Sequence, residues 1–212
     1  MKLLDGATVL FVALLLAPRL GIAAAYDDFV AAASRGDGAE VVSWLRRGMD
    51  PNTVDPTGQP ILHVAARNGA LEVVKTLAAA QVNLNRRNGA GETALMLASL
   101  QGHLEVVKYL LEQESEVNHP GWTPLIYAAT SGKDEVVKIL LENHAYIDAT
   151  SPGGVTALMM AVRGGHVETV RLLIAEDADV GVKNDVGETA LMWAERRSEP
   201  DIAKLLRVKL MP

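Results

Sequence analysis

Thr93-Ala94-Leu95-Met96-Leu97-Ala98 is the stretch on which the reading of this chain turns, because it comes back. It returns as Thr123-Pro124-Leu125-Ile126-Tyr127-Ala128, as Thr156-Ala157-Leu158-Met159-Met160-Ala161 and as Thr189-Ala190-Leu191-Met192-Trp193-Ala194. A less regular copy, Pro60-Ile61-Leu62-His63-Val64-Ala65, precedes them. The spacings are 33, 30, 33 and 33 residues. Glycine keeps the same rhythm at Gly36, Gly69, Gly102, Gly132 and Gly165, with Ser198 in the sixth slot. Beside those glycines run similar segments, such as Leu71-Glu72-Val73-Val74-Lys75 and Leu104-Glu105-Val106-Val107-Lys108.

Each copy spells a helix, a turn and a second helix. Threonine caps a helix because its hydroxyl accepts from an otherwise unpaired N–H of the first turn. Proline in the next place, as in Thr123-Pro124, suits the first helical residue. Small residues such as Ala98 allow close helix approach. The glycine stops the first helix where a left-handed turn is required. The second helix, read over Leu104 to Glu112, places Val106, Val107, Leu110 and Leu111 on one apolar stripe. A polar turn with Asn85, Asn118 or Asp148 then projects as a finger. One unit cannot bury its own apolar face, so stability must come from stacking neighbours.

A period near 33 with a T-P-L-H-x-A-like opening is the mark of the ankyrin repeat. The chain resembles the ankyrin-repeat family from Asp27 to about Arg207. The resemblance implies an all-α repeat solenoid of stacked helix-turn-helix units with hairpin fingers and a concave face. Residues 26–58 are expected to form an N-terminal capping unit. Four central repeats follow at 59–91, 92–121, 122–154 and 155–187, and residues 188–212 form a C-terminal capping unit. The last helix, expected over Asp201 to Val208, breaks its apolar pattern with Lys204 and Arg207, as a solvated end requires.

The first 25 residues fall outside that pattern. Lys2 supplies a positive start, Ala7 to Ala17 is an unbroken apolar run, and Ala23 and Ala25 form an A-x-A site before Tyr26. These features predict a signal peptide over 1–25 and a periplasmic or secreted bacterial protein. Eleven apolar residues fall short of the roughly 20 a membrane span needs. The other reading is an uncleaved anchor, with Arg19 at the interface and the repeats as a tethered scaffold.

Composition narrows the function. The chain is 49% hydrophobic and 4% aromatic, which suits small-residue helix packing. Its net charge of -6 speaks against a nucleic-acid partner, whose phosphates call for clustered Lys and Arg. With no cysteine, thiolate metal sites, cysteine nucleophiles and disulfides are excluded. No H-E-x-x-H, P-loop or nucleophile elbow is present, and the repeats occupy nearly all of residues 26–212. Neither catalysis nor a metal nor a cofactor is expected. An enzyme with an unrecognised site is the distant alternative. The family implies that His63, His103 and His166 serve loop and inter-repeat hydrogen bonds; His119 and His144 sit at connections and have no such role.

The resemblance also implies where a partner sits. The residue before each opening threonine and the two before each turn glycine face a ligand. In the first set are Gln59, Glu92, Trp122, Val155 and Glu188, and the second includes Arg67, Leu100, Arg163, Arg196 and Arg197. Leu100, Trp122 and Val155 make the middle of the row apolar, and Arg67 on one side and Arg163, Arg196 and Arg197 on the other put charge at its flanks. A central tryptophan with an arginine rim is the chemistry of an interaction hot spot. Packing of Trp122 onto the loop beside it is the competing role. The 30-residue spacing means that three residues are missing near Val117–Trp122, so a notch is expected in the row of fingers. The expected molecule is a monomer that binds a protein, as an accessory factor or an inhibitor of immunity type. Trp193 and Tyr127 share a first-helix position expected to pack between helices, and Met96, Met159 and Met192 share one expected in the core or on the inner face.

Overall fold

The computed structural model describes residues 24–210. The leader expected over 1–25 lies outside the described residues, except that residues 24 and 25 open the first helix. Among the described residues there are twelve helices, and the only strand-like pairing is an isolated bridge between Val54 and Pro60. Helix α1 covers 24–35 and α2 Gly38–Arg46. The pairs that follow are α3 Ile61–Arg67 with α4 Leu71–Ala79, and α5 Ala94–Gln101 with α6 Leu104–Glu112. Next come α7 Pro124–Thr130 with α8 Asp134–Glu142, and α9 Ala157–Gly164 with α10 Val167–Ala175. The last pair is α11 Ala190–Arg196 with α12 Pro200–Leu210.

The chain is an all-α repeat solenoid of two rows. Helices α3, α5, α7, α9 and α11 pack in sequence along one row, and α2, α4, α6, α8, α10 and α12 along the other. One position explains the close inner row: Ala65, Ala98, Ala128, Ala161 and Ala194 are all fully buried. A larger side chain there would push neighbouring helices apart. The outer row contributes Val73, Val74 and Leu77, then Val106, Val107 and Leu110, then Val136, Val137 and Leu140. Leu111, expected on that stripe, is only partly buried at its edge.

The caps follow from sequence. Thr93, Thr123, Thr156 and Thr189 each accept a bond from the backbone N–H three residues on, at 3.2 to 3.4 Å. Pro60 has no such side chain, and α3 starts without a side-chain cap. Gly102 and Gly165 end α5 and α9 at φ of 82° and 69°, the left-handed conformation that glycine adopts without penalty. Ser198 takes the same turn at φ 57°.

A second left-handed position recurs after the outer helices. Gly48 fills it once, at φ 92°. Gln81, Glu114, His144 and Asp177 fill it afterwards, with φ between 57° and 64°. Each of these four stores strain that a glycine would not. On the outer surface, Lys75–Glu72, Lys108–Glu105 and Lys138–Glu135 pair across one turn at 2.8 to 3.0 Å. This ridge is self-neutralised.

The end of the array departs from expectation. Met96 and Met159 are 1% exposed, but Met192, at the same repeat position, is 51% exposed. Position within a repeat does not decide burial here; a following repeat does, and none among the described residues covers α11. The final helix does carry polar ties, with Arg207 bonded to Glu195 and Lys209 to Asp177 at 2.7 and 2.8 Å.

Candidate functional site

The inner row and the fingers form one face. Each full finger is closed by a pair of backbone bonds around an Asx or Ser residue. Asn88 N–H donates to Glu92 O at 2.9 Å, and Gly91 N–H returns to Asn88 O at 3.0 Å. Asp55, Ser151 and Asn184 anchor the same pattern in their fingers. The side chains of Asp55, Asn88 and Asn184 also accept from N–H groups within their own loops. Despite partial burial, bonds from Thr57 and Gln59 and the charge of Arg67 hold the Asp55 carboxyl below its ordinary range.

Fingers are stitched to each other one turn earlier. Asn85 accepts from Glu116 N–H at 2.9 Å, and Asp148 from Asp179 N–H at 3.0 Å. Asn118 does the same for Tyr146 N–H at 2.8 Å and donates to His144 O at 2.8 Å. The short finger therefore keeps its base stitch at Asn118. The three missing residues come out of the hairpin beyond it, and no closing backbone pair spans 117–122 among the described residues. His119 is folded in at that join. It is buried, its Nδ1 lies 3.2 Å from Glu116, and its Nε2 has no partner. Burial holds this ring below the ordinary histidine range, against the pull of Glu116.

Trp122 follows directly and is 39% exposed. Its ring meets the Tyr127 ring edge-on, with centroids 5.8 Å apart and planes at 76°, a favourable aromatic arrangement. The Tyr127 hydroxyl donates to Glu92 at 2.9 Å. Burial, then that bond, raises the phenol well above its ordinary value, so it stays a donor. Asn88 donates to both Glu92 and Gln59, at 2.8 and 2.9 Å. A polar chain from Gln59 to Tyr127 thus props Trp122 from below. Trp122 is both packed against Tyr127 and exposed.

At the other end of the face, Arg163, Trp193, Arg196 and Arg197 line an open cavity of about 300 Å³. Trp193 packs against the core, and its Nε1 donates to Glu188 at 2.6 Å. Arg196 pairs with the same carboxylate. Arg196 and Trp193 hold the Glu188 carboxyl below its usual range.

A family model described as ankyrin repeats (3 copies) matches over residues 29–120, 84–151 and 146–210. The chain is an ankyrin-repeat protein. Ankyrin repeats are generally protein–protein interaction modules and typically non-catalytic. The chain is 35% identical over 94 residues to alpha-latrocrustotoxin-Lt1a of Latrodectus tredecimguttatus, covering 43% of this chain and 7% of the toxin. It is 37% identical over 70 residues to protein fem-1 homolog A-like of Mus musculus, covering 33% and 11%. With the probable E3 ubiquitin-protein ligase XBOS33 of Oryza sativa subsp. japonica it shares 38% over 97 residues, covering 43% and 18%. The matched segment spans less than a fifth of each of these relatives.

The ankyrin-repeat histidines act as the family implies. His103 bonds Arg67 O at 2.9 Å, His166 bonds Thr130 O at 3.0 Å, and His63 bonds Glu92 O at 2.9 Å. Burial holds His63 below the ordinary range. No group of three His, Cys, Asp or Glu among the described residues could hold a metal ion. No helix among them is long and apolar enough to cross a membrane.

Of the residues singled out in sequence, Arg163 and Arg196 come together at the cavity. Leu100 ends the inner helix α5, partly buried, and Val155 is partly buried against the core. Arg67 stands at the end of α3, near Asp55, far along the row from the other two arginines. Sequence reasoning placed Glu92 and Glu188 on this face without weighting them, counted Arg197 in the arginine rim, and read Tyr127 and Trp193 as packing alone. The available signal was that both aromatics lie five residues after a residue expected to face a ligand.

Proposed function

We propose that this ankyrin-repeat protein is a non-catalytic, monomeric module that grips a protein partner on its inner face. Leu100, Trp122 and Val155 form the centre of the grip, with Arg67 at one end and Arg163 and Arg196 at the other. The observation that carries the reading is Trp122. It is a large aromatic, 39% exposed, held by Tyr127 and set beside a finger that has lost its hairpin. Tryptophan, tyrosine and arginine are the residue types in which interface energy concentrates. The role needs no cofactor and no nucleic acid.

We also propose that the protein acts in the periplasm or outside the cell, as an accessory factor or an inhibitor. The support is the charged start, apolar run and A-x-A site of residues 1–25.

Affinity capture from a periplasmic extract tests the binding role, with wild type beside folded Trp122→Ala and Arg163→Ala variants. A partner retained by wild type and lost by Trp122→Ala is the expected outcome. Equal recovery by the folded variants would sink the reading. The mass of the chain recovered from cells tests export: loss of residues 1–25 is expected, and an intact leader would make it a tethered scaffold instead.

A further inference from the structure

The cavity at the end of the inner face has a chemistry of its own. Three arginines, Arg163, Arg196 and Arg197, line one opening of about 300 Å³. Like charges gathered this way repel one another. Only Arg196 is neutralised, by Glu188. Neither Arg163 nor Arg197 pairs with a carboxylate among the described residues. The outer ridge is built the opposite way, with Lys75, Lys108, Lys138 and Arg171 each beside a glutamate one turn earlier. On a chain of net charge -6, this concentration of exposed cations calls for a ligand.

Glu188 shows what that ligand would look like. Its carboxylate takes the Trp193 indole N–H on one oxygen and the Arg196 guanidinium across both. The site therefore already recognises one carboxylate by charge and by a directed donor. Guanidinium groups favour planar carboxylates through paired N–H bonds. Trp193, which also lines the cavity, packs against the core.

We propose that the cavity receives an acidic segment of the protein partner, with Asp or Glu side chains seated between Arg163 and Arg197. This rests on the partner-binding reading and gives that partner a chemical class. A nucleic-acid strand is disfavoured, because the chain carries a net charge of -6.

The test titrates the full chain into a fluorescent hexaglutamate peptide and follows anisotropy. Binding is expected at about 0.05 M NaCl and strong weakening at about 0.5 M, where exposed charges are screened. The Arg163→Gln/Arg197→Gln double variant should bind about tenfold more weakly, the sum of two exposed charge contacts. Glu188→Gln removes the resident carboxylate and should bind several-fold more tightly. Lys108→Gln, on the outer ridge, should match wild type. The proposal is overturned if hexaglutamate fails to bind, or if the double variant binds as wild type does. It is equally overturned if hexaglutamine binds as well, or if single-stranded DNA competes more strongly than free hexaglutamate. Partner capture that still depends on Trp122 after such a failure would discard the acidic class and leave the binding surface standing.

Discussion

Two aromatic sites on the inner face occupy the same pair of repeat positions and carry opposite chemistry. In the middle unit, Trp122 stands before the opening threonine and Tyr127 lies five residues on; the rings meet edge to face. In the last unit those positions hold Glu188 and Trp193, and the indole donates to the carboxylate. Tyr127 reaches back one unit for its carboxylate, Glu92, whereas Trp193 finds one in its own unit. One scaffold thus supports an apolar anchor and a charged one with the same two positions. The lesson is that the repeat fixes where a side chain stands, and the neighbour across the groove fixes what it does.

The comparison breaks most visibly at Trp122. Trp122→Ala should weaken partner binding by about 2 kcal/mol or more if the aromatic centre dominates. Isothermal titration with the captured partner measures it, and a larger loss from Trp193→Ala would reverse the ranking of the two sites.

Capping gives a smaller contrast. Thr123→Ala should cost about 1 to 2 kcal/mol of stability, because it leaves the buried Ile126 N–H unpaired. Thr189→Ala should cost less, since its N–H partner Met192 is exposed to water. Chemical denaturation of the two variants gives both numbers, and equal losses would show that the two ends of the row are equally sealed.

The repeat was legible because its parts are local. Threonine caps, turn glycines and the valine stripe are read within one unit, and each is found in its place. The lateral bonds were not legible, because they join residues far apart in sequence. Tyr127 lies 35 residues from Glu92, and Arg196 reaches from the end of α11 to Glu188 in the finger that precedes that helix. Exposure of Met192 was missed for a related reason: repeat position says nothing about being last. The four strained residues after the outer helices were not read in the sequence, although with Gly48 they keep the same period as the threonines, because four of the five positions lack the glycine that marks a left-handed turn.

That rhythm supplies a finer test. His144 is exposed, at φ 64°, beside the short finger, so His144→Gly should stabilise by about 0.5 to 1 kcal/mol through relief of left-handed strain. Asp177 has the same φ but holds Lys209, so Asp177→Gly should gain less. A thermal melt of each variant decides, and destabilisation by His144→Gly would mean its side chain carries an interaction of its own.

The gentlest perturbation is acid. Burial holds His63 and His119 below the ordinary histidine value of about 6.5, so in that window the unfolded chain binds protons that the folded chain excludes. Their stabilising contribution is complete above that value and is lost as pH falls toward the folded-state values. The first central repeat around His63 and the short finger around His119 should loosen first, while the arginine end keeps its charge and Glu188, held low, stays ionised. Ring signals of His63 and His119 followed by NMR should titrate below those of a free histidine; titration at or above it would remove the effect.

The central claim is that the inner face, not the outer ridge, meets the partner. Photo-crosslinking addresses it most directly, with a benzoylphenylalanine placed in turn at Val155, Arg163 and Lys108. One common adduct is expected from positions 155 and 163 and none from 108. An adduct from 108 alone, or equally from all three, would contradict it.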